Sequence, residues 1–313
     1  MKRLFMAVST VFCAVFFFAQ AAFSWGWAVH TYIDDQFSTK LGLRNGNQVY
    51  GGLAPDLFNF RFDAPVYRAY LFDQTHNNFM KVWDAAQSIP GKALAFGFVS
   101  HNEVWGVDST AHRSGITFGV DEGYVIAKAK ALKIILDQVP QFAALQLPEP
   151  VALEVAHELV ERGVDILMKR IDPMIGAKMA AGALPPNPNF PLLMEKAYAG
   201  ELAAHFGISE DDAVKFITSS ERQFRQMMVL YGQSLMQDDS TAILLNAEQL
   251  EEVAKIFLAA YGLPPIPEGV DIKPLLQFGI VQGMTICAQD FAGEVFATLN
   301  FVNQQLAAHG ISY

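Results

Sequence analysis

The chain has 313 residues, 52% of them hydrophobic and 17% charged, with a formal net charge of −10 and two cysteines. That charge argues against a partner held mainly through its phosphates, such as duplex DNA. It leaves open enzymes that act on phosphate esters, because bound cations can supply the missing positive charge.

The first segment, "MKRLFMAVSTVFCAVFFFAQAAFS", has the layout of a secretory signal. Lys2 and Arg3 form a positive start, an apolar core runs from Leu4 to about Phe18, and Ala22 and Ser24 supply small residues before a cleavage point. The apolar core is shorter than the roughly 20 residues of a membrane-spanning anchor. Cleavage after Ser24 is expected, leaving Trp25 as the amino terminus of a periplasmic or secreted protein. Cys287 would then be the only cysteine, which rules out an intramolecular disulfide.

Downstream, helical periodicity predicts an all-α protein. Residues 124–139 bring Val125, Ala129, Leu132, Leu136 and Val139 onto one face, and 150–171 repeat the pattern behind Pro150. Ser209 and an acidic run open a helix over 209–237. Asn246 and Gly262 are read as the caps of a helix over 246–262. Residues 272–308 are apolar enough for one buried helix or two. The proline-rich stretches 183–191 and 262–270 read as rigid connections, and the unusual residues between 40 and 120 are expected in loops.

Those residues are histidines and their carboxylates. His157 and Glu161 lie four apart, so a helix projects both from one face, where they can grip one ion or simply form a surface pair. In "FGFVSHNEVWGVDSTAH", His101, Asp108 and His112 share a segment with apolar flanks, and Glu103 is an alternative ligand. Burying such groups without a ligand or partner would be costly; a polar loop is the plainer reading. Asp56 follows Gly-Gly and a proline, and His76 has Asp73 three residues before it as a partner that could orient its ring. His205, before Gly207, suits a helix end, and His309 is expected to be exposed. The density of histidines and carboxylates between 25 and 161 suggests more than one metal ion.

These residues resemble the zinc-dependent phospholipase C family, whose wider superfamily includes the fungal single-strand-specific nucleases. The nucleases begin W-G-x-x-x-H, and Trp25-Gly26-Trp27-Ala28-Val29-His30 has that spacing. "GGLAPDLF", "FDQTHNNF" and the run from His101 to His112 resemble the amino-terminal domain of glycosylphosphatidylinositol-specific phospholipase D. The resemblance implies a three-zinc cluster on a multi-helix scaffold. Asp56, His76, His101 and Asp108 would hold the first ion, and His112, His157 and Glu161 the second. The amino group and carbonyl of Trp25, with His30 and a bridging Asp108, would hold the third. It also implies a general-base role for Asp56.

The likeness covers roughly residues 25–161. Three residues separate the histidine and aspartate in the family, whereas six separate His101 from Asp108 here; a bulge in one helix would preserve the geometry. The expected organisation is a signal peptide (1–24), a catalytic core (25–180) and a helical extension packed on it (181–313). The expected activity is a phospholipase C acting on a phospholipid head group, with transient membrane-surface contact. The alternatives are a nuclease or other phosphoesterase of the superfamily, or a metal-binding helical protein without turnover.

Overall fold

Helical periodicity carries through the chain. The computed structural model describes residues 25–37, 43–117, 121–184, 189–260, 262–266 and 270–313, and the predicted leader lies outside them. Among the described residues there are α-helices, one 3-10 helix and no strand, so the protein is all-α. The first half contains α1 (Trp27–Phe37), α2 (Leu43–Leu53), a 3-10 helix (Ala54–Phe58), α3 (Pro65–Asn77), α4 (Met80–Ala85), α5 (Ile89–His101) and α6 (Val107–His112). Then follow α7 (Tyr124–Leu136), α8 (Pro140–Ala143) and α9 (Glu149–Met168). The rest is α10 (Ile175–Ala183), α11 (Asn189–Phe206), α12 (Glu210–Leu235), α13 (Asp239–Ala260), α14 (Lys273–Cys287) and α15 (Phe291–Ala308).

Local chemistry explains most boundaries. Ser209 caps α12 by accepting from the Asp212 amide at 3.1 Å, with three acidic residues in the first turn. Gly262 adopts φ +61° just beyond α13, a conformation that favours glycine. The 272–308 segment divides into two helices, α14 and α15.

Two expectations are corrected. Asn246 is not an N-cap: α13 starts at Asp239, after Asp238 accepts from the Thr241 amide at 3.0 Å. Asn246 lies inside the helix, buried, and donates to the Ala242 carbonyl at 2.8 Å. Nor do loops carry the unusual residues of 40–120: His76, His101, Asp108 and His112 lie in α-helices and Asp56 in the 3-10 helix. Most of that region is helical, in pieces such as α4 and α6 that are too short for hydrophobic periodicity to reveal.

One tight crossing fixes the centre of the molecule. A Cβ on Gly97 of α5 would lie 2.0 Å from the Gln48 carbonyl of α2, and one on Gly51 would lie 2.1 Å from the Leu94 carbonyl. The two backbones can approach this closely only because side chains are missing there. The same crossing brings the Gly52 carbonyl to His101. Buried apolar residues form one core that runs from Trp25 to Ile311 and is shared by both halves of the chain. Among the described residues no helix is long and apolar enough to cross a membrane.

Candidate metal centre

Six short segments deliver the predicted ligands to one buried place. His76 lies in the last turn of α3, while His101 and His112 are the final residues of α5 and α6. Helix carboxyl ends carry partial negative charge and favour nearby cations. Asp56 comes from the 3-10 helix, His30 from α1, Asp108 from the first turn of α6, and His157 with Glu161 from the middle of α9.

Asp108 is the hinge of the arrangement. Its Oδ1 is 3.0 Å from His30 Nε2, and its Oδ2 is 2.8 Å from His101 Nε2 and 3.6 Å from His76 Nε2. Asp56 Oδ1 closes the first group, at 3.4 Å from His76 Nε2 and 3.7 Å from His101 Nε2. The two carboxylate oxygens of Asp108 thus face different histidines, as a bridging ligand requires. His112, His157 and Glu161 converge separately, with His157 Nε2 3.1 Å from Glu161 Oε1. Glu103, Asp108 and His112 link the two regions.

The six-residue interval after His101 does not form a bulge in one helix. Helix α5 stops, and Asn102 Oδ1 accepts from the amides of Val104, Trp105 and Gly106 at 2.8, 2.8 and 3.2 Å. This side-chain turn consumes the extra residues, and α6 restarts with Asp108 facing back to His101. Glu103 does not substitute in the first group: its carboxylate pairs with His112 Nδ1 and with Arg113. Asp73 does not orient His76 either, since it accepts from Asn77 at 2.9 Å. His76 Nδ1 instead faces the Phe72 carbonyl at 2.9 Å, and His101 Nδ1 faces the Gly52 carbonyl at 2.8 Å. A carbonyl only accepts, so both Nδ1 atoms carry a proton and Nε2 is the ring nitrogen left to face the carboxylates. His76 Nε2 and His101 Nε2 are buried and close no hydrogen bond. This is the hydrogen-bonding pattern found behind metal-ligating histidines.

The electrostatics agree with a cation-binding role. Burial and the neighbouring His101 lower the pKa of His30, while burial and His112 hold His157 well below its ordinary value. Both therefore favour the neutral, ligating form. Burial alone would raise Asp108, yet His101 and His30 hold it well below the usual carboxylate range. Burial likewise opposes the charge on His101, but Asp108 and Asp56 push its pKa up to about 9. Buried carboxylates and imidazoles at this density fit divalent metal ions, and a nitrogen–oxygen donor set without thiolate suits zinc among others.

Trp25 is fully buried, its ring stacked on Tyr124 at 5.0 Å, and its Nε1 donates to Thr110 Oγ1 at 2.8 Å. Thr110 sits between Asp108 and His112, so the indole is tied to the helix that carries both. Several contributors escape sequence reasoning. Trp27 Nε1 donates to Asp56 Oδ2 at 2.9 Å, and Asn59 Nδ2 donates to Asp56 Oδ1 at 2.7 Å. Asp165 accepts from the Ala28 amide at 3.0 Å and from the Tyr231 hydroxyl at 2.8 Å, pinning the start of α1. His205 stacks on Tyr70 at 4.5 Å, and His309 is exposed against Trp105 at 4.6 Å, both away from the cluster.

A polar recess of about 20 Å³ opens beside the cluster, lined among others by Gly26, Trp27, Asp56, Asn59, Glu161 and Arg162. Comparison with family models, curated proteins and solved structures returned no match for this chain.

Proposed function

We propose that the protein is an exported zinc-dependent phosphodiesterase, a phospholipase C cleaving the head-group phosphodiester of a phospholipid. The observation that carries this reading is Asp108, whose two oxygens face separate sets of histidines in a buried cluster of nitrogen and oxygen donors. In this reading Asp56, His76, His101 and Asp108 hold one ion and His112, His157 and Glu161 a second. His30, Asp108 and the amino group and carbonyl of Trp25 hold a third.

When bound, zinc supplies Lewis acidity toward the phosphoryl oxygens and makes water a usable nucleophile near neutral pH. Around it, Trp27 and Asn59 fix the Asp56 carboxylate through one hydrogen bond to each oxygen. His101 and His76 hold the pKa of Asp56 below its ordinary value against the opposing effect of burial, so the group is anionic. Asp56 would accept a proton from the attacking water. A water oxygen–phosphorus bond forms, the phosphorus–glycerol oxygen bond breaks, and the leaving oxygen takes up a proton as diacylglycerol departs.

The test is metal content and turnover of protein whose chain begins at Trp25. About three zinc ions per chain are expected, falling by one in His157→Ala and by one when a residue precedes Trp25. Phosphatidylcholine turnover should fall more than the roughly 10- to 100-fold typical of lost outer-shell partners in His157→Ala. Preference for single-stranded DNA would move the assignment to a nuclease. A fully loaded protein with no turnover of either substrate or of bis(p-nitrophenyl) phosphate would make it a metal-binding protein.

A further inference from the structure

Beside the polar recess lies a much larger cleft of about 380 Å³ between the first half of the chain and the helices that follow α12. Its walls include Phe62, Leu136 and Leu159 on one side and Leu250, Phe257 and Leu276 on the other. Leu136, Leu159, Leu250 and Leu276 are buried, yet they enclose this volume instead of closing on one another. Protein interiors rarely leave gaps larger than a water molecule, and apolar cavities of ligand size accept apolar guests. The volume falls in the range of roughly 300–1,000 Å³ that small-molecule sites occupy.

The cleft is not isolated from the metal centre. Asn59, Phe60 and Glu158 line both it and the polar recess. Asn59 is also the residue that donates to Asp56. The polar side chains in the cleft include Arg68 and Glu154, on the helices that carry His76 and His157.

We infer that this cleft binds one aliphatic chain of the substrate, so that the protein takes an amphiphilic phosphodiester with its phosphate toward the metal centre and its tail between α9, α13 and α14. The inference rests on the phosphodiesterase reading for the phosphate and on the cleft's own geometry for the tail. The chain belongs to the leaving alcohol, and the carboxyl-terminal helices, which the family resemblance does not reach, become the wall that selects it.

The test uses single-chain alkyl phosphocholines held below their micelle-forming concentrations, with bis(p-nitrophenyl) phosphate as a tail-free control. Transferring each methylene from water into an apolar site gains about fourfold in affinity. kcat/KM should therefore climb by about that factor per methylene until the cleft is full. Leu276→Trp should remove the climb and leave bis(p-nitrophenyl) phosphate turnover within about twofold. Phe257→Ala should extend it to longer chains. Titration of a fluorescent alkyl probe reads the cleft without turnover, and one saturable site lost in Leu276→Trp is expected. A flat chain-length profile without probe binding overturns the inference, even if the tail-free phosphodiester is hydrolysed. Probe binding without turnover of any phosphodiester upholds the chain site and rejects the phosphodiesterase reading instead.

Discussion

Asp165 shows how a single buried carboxyl can set a pH dependence. Burial raises its pKa to about 6, although hydrogen bonds from Tyr231 and the Ala28 amide oppose the rise. Between about pH 4 and pH 6 the folded protein keeps a proton that the unfolded chain has released. Stability from this group therefore falls as pH rises through that window, by about 1.4 kcal/mol per unit and roughly 3 kcal/mol in all. In Asp165→Asn the amide oxygen can still accept from Ala28, and the Tyr231 hydroxyl can turn to accept. The variant should gain up to about 3 kcal/mol relative to the native protein between pH 4 and pH 7, as read from urea midpoints. A difference that stays constant with pH would refute the assignment. At this scale the sequence is readable where partners are local: His157 and Glu161 are four apart on one helix and do meet. It is unreadable for Trp27 and Asp56, whose contact spans 29 positions. It misleads for Asp73, because a carboxylate three residues before a histidine has a nearer partner in Asn77.

Elements meet here through missing side chains. A methyl group on Gly97 would strike the Gln48 carbonyl at 2.0 Å and the Gly52 amide at 2.6 Å, and neither backbone atom can turn aside. Gly97→Ala should cost at least about 3 kcal/mol, the upper range for overpacking, and should reduce metal content by shifting the Gly52 carbonyl from His101. Gly200, exposed on α11 with nothing within 4 Å of its Cβ position, is the control. Gly200→Ala should stabilise by about 1 kcal/mol through helix propensity alone. Thermal melts with metal analysis separate the two, and equal melting temperatures would contradict the close-contact account. The long helices α7, α9 and α12 were readable because periodicity has many turns in which to assert itself. The interval from Asn102 to Gly106 was not, because its turn depends on one asparagine oxygen serving three amides.

Taken whole, the molecule gathers its buried histidines in one place and its largest described cleft in another. Asp56, Asp108, His30, His76, His101 and His157 are all buried, and Glu161 nearly so. If metal binds only the folded state, its removal should lower stability by about 4 kcal/mol at a thousandfold excess of free metal over Kd. Chelation should therefore lower the melting temperature clearly, and re-addition of zinc should restore it. An unchanged melt after verified metal removal would show that the cluster is held by the fold alone. All-α architecture could be read from composition and periodicity. What could not be read is that the carboxyl-terminal helices share the core and wall the large cleft, since no local pattern marks a contact such as Leu159 with Gly279.

The six separate segments that supply the buried cluster have a kinetic consequence. His30 and Glu161 lie far apart in the chain, and the intervening ligands arrive from four further elements, so each needs a long loop to close before the cluster exists. A metal would have little to organise early, because only the stretch from His101 to His112 gathers more than a pair of the proposed donors. In the proposed metal-bound form the ion would be captured by a structure already assembled and would then act as a lock on departure. Refolding rates measured with and without zinc should coincide, whereas unfolding should slow in proportion to the stability gained.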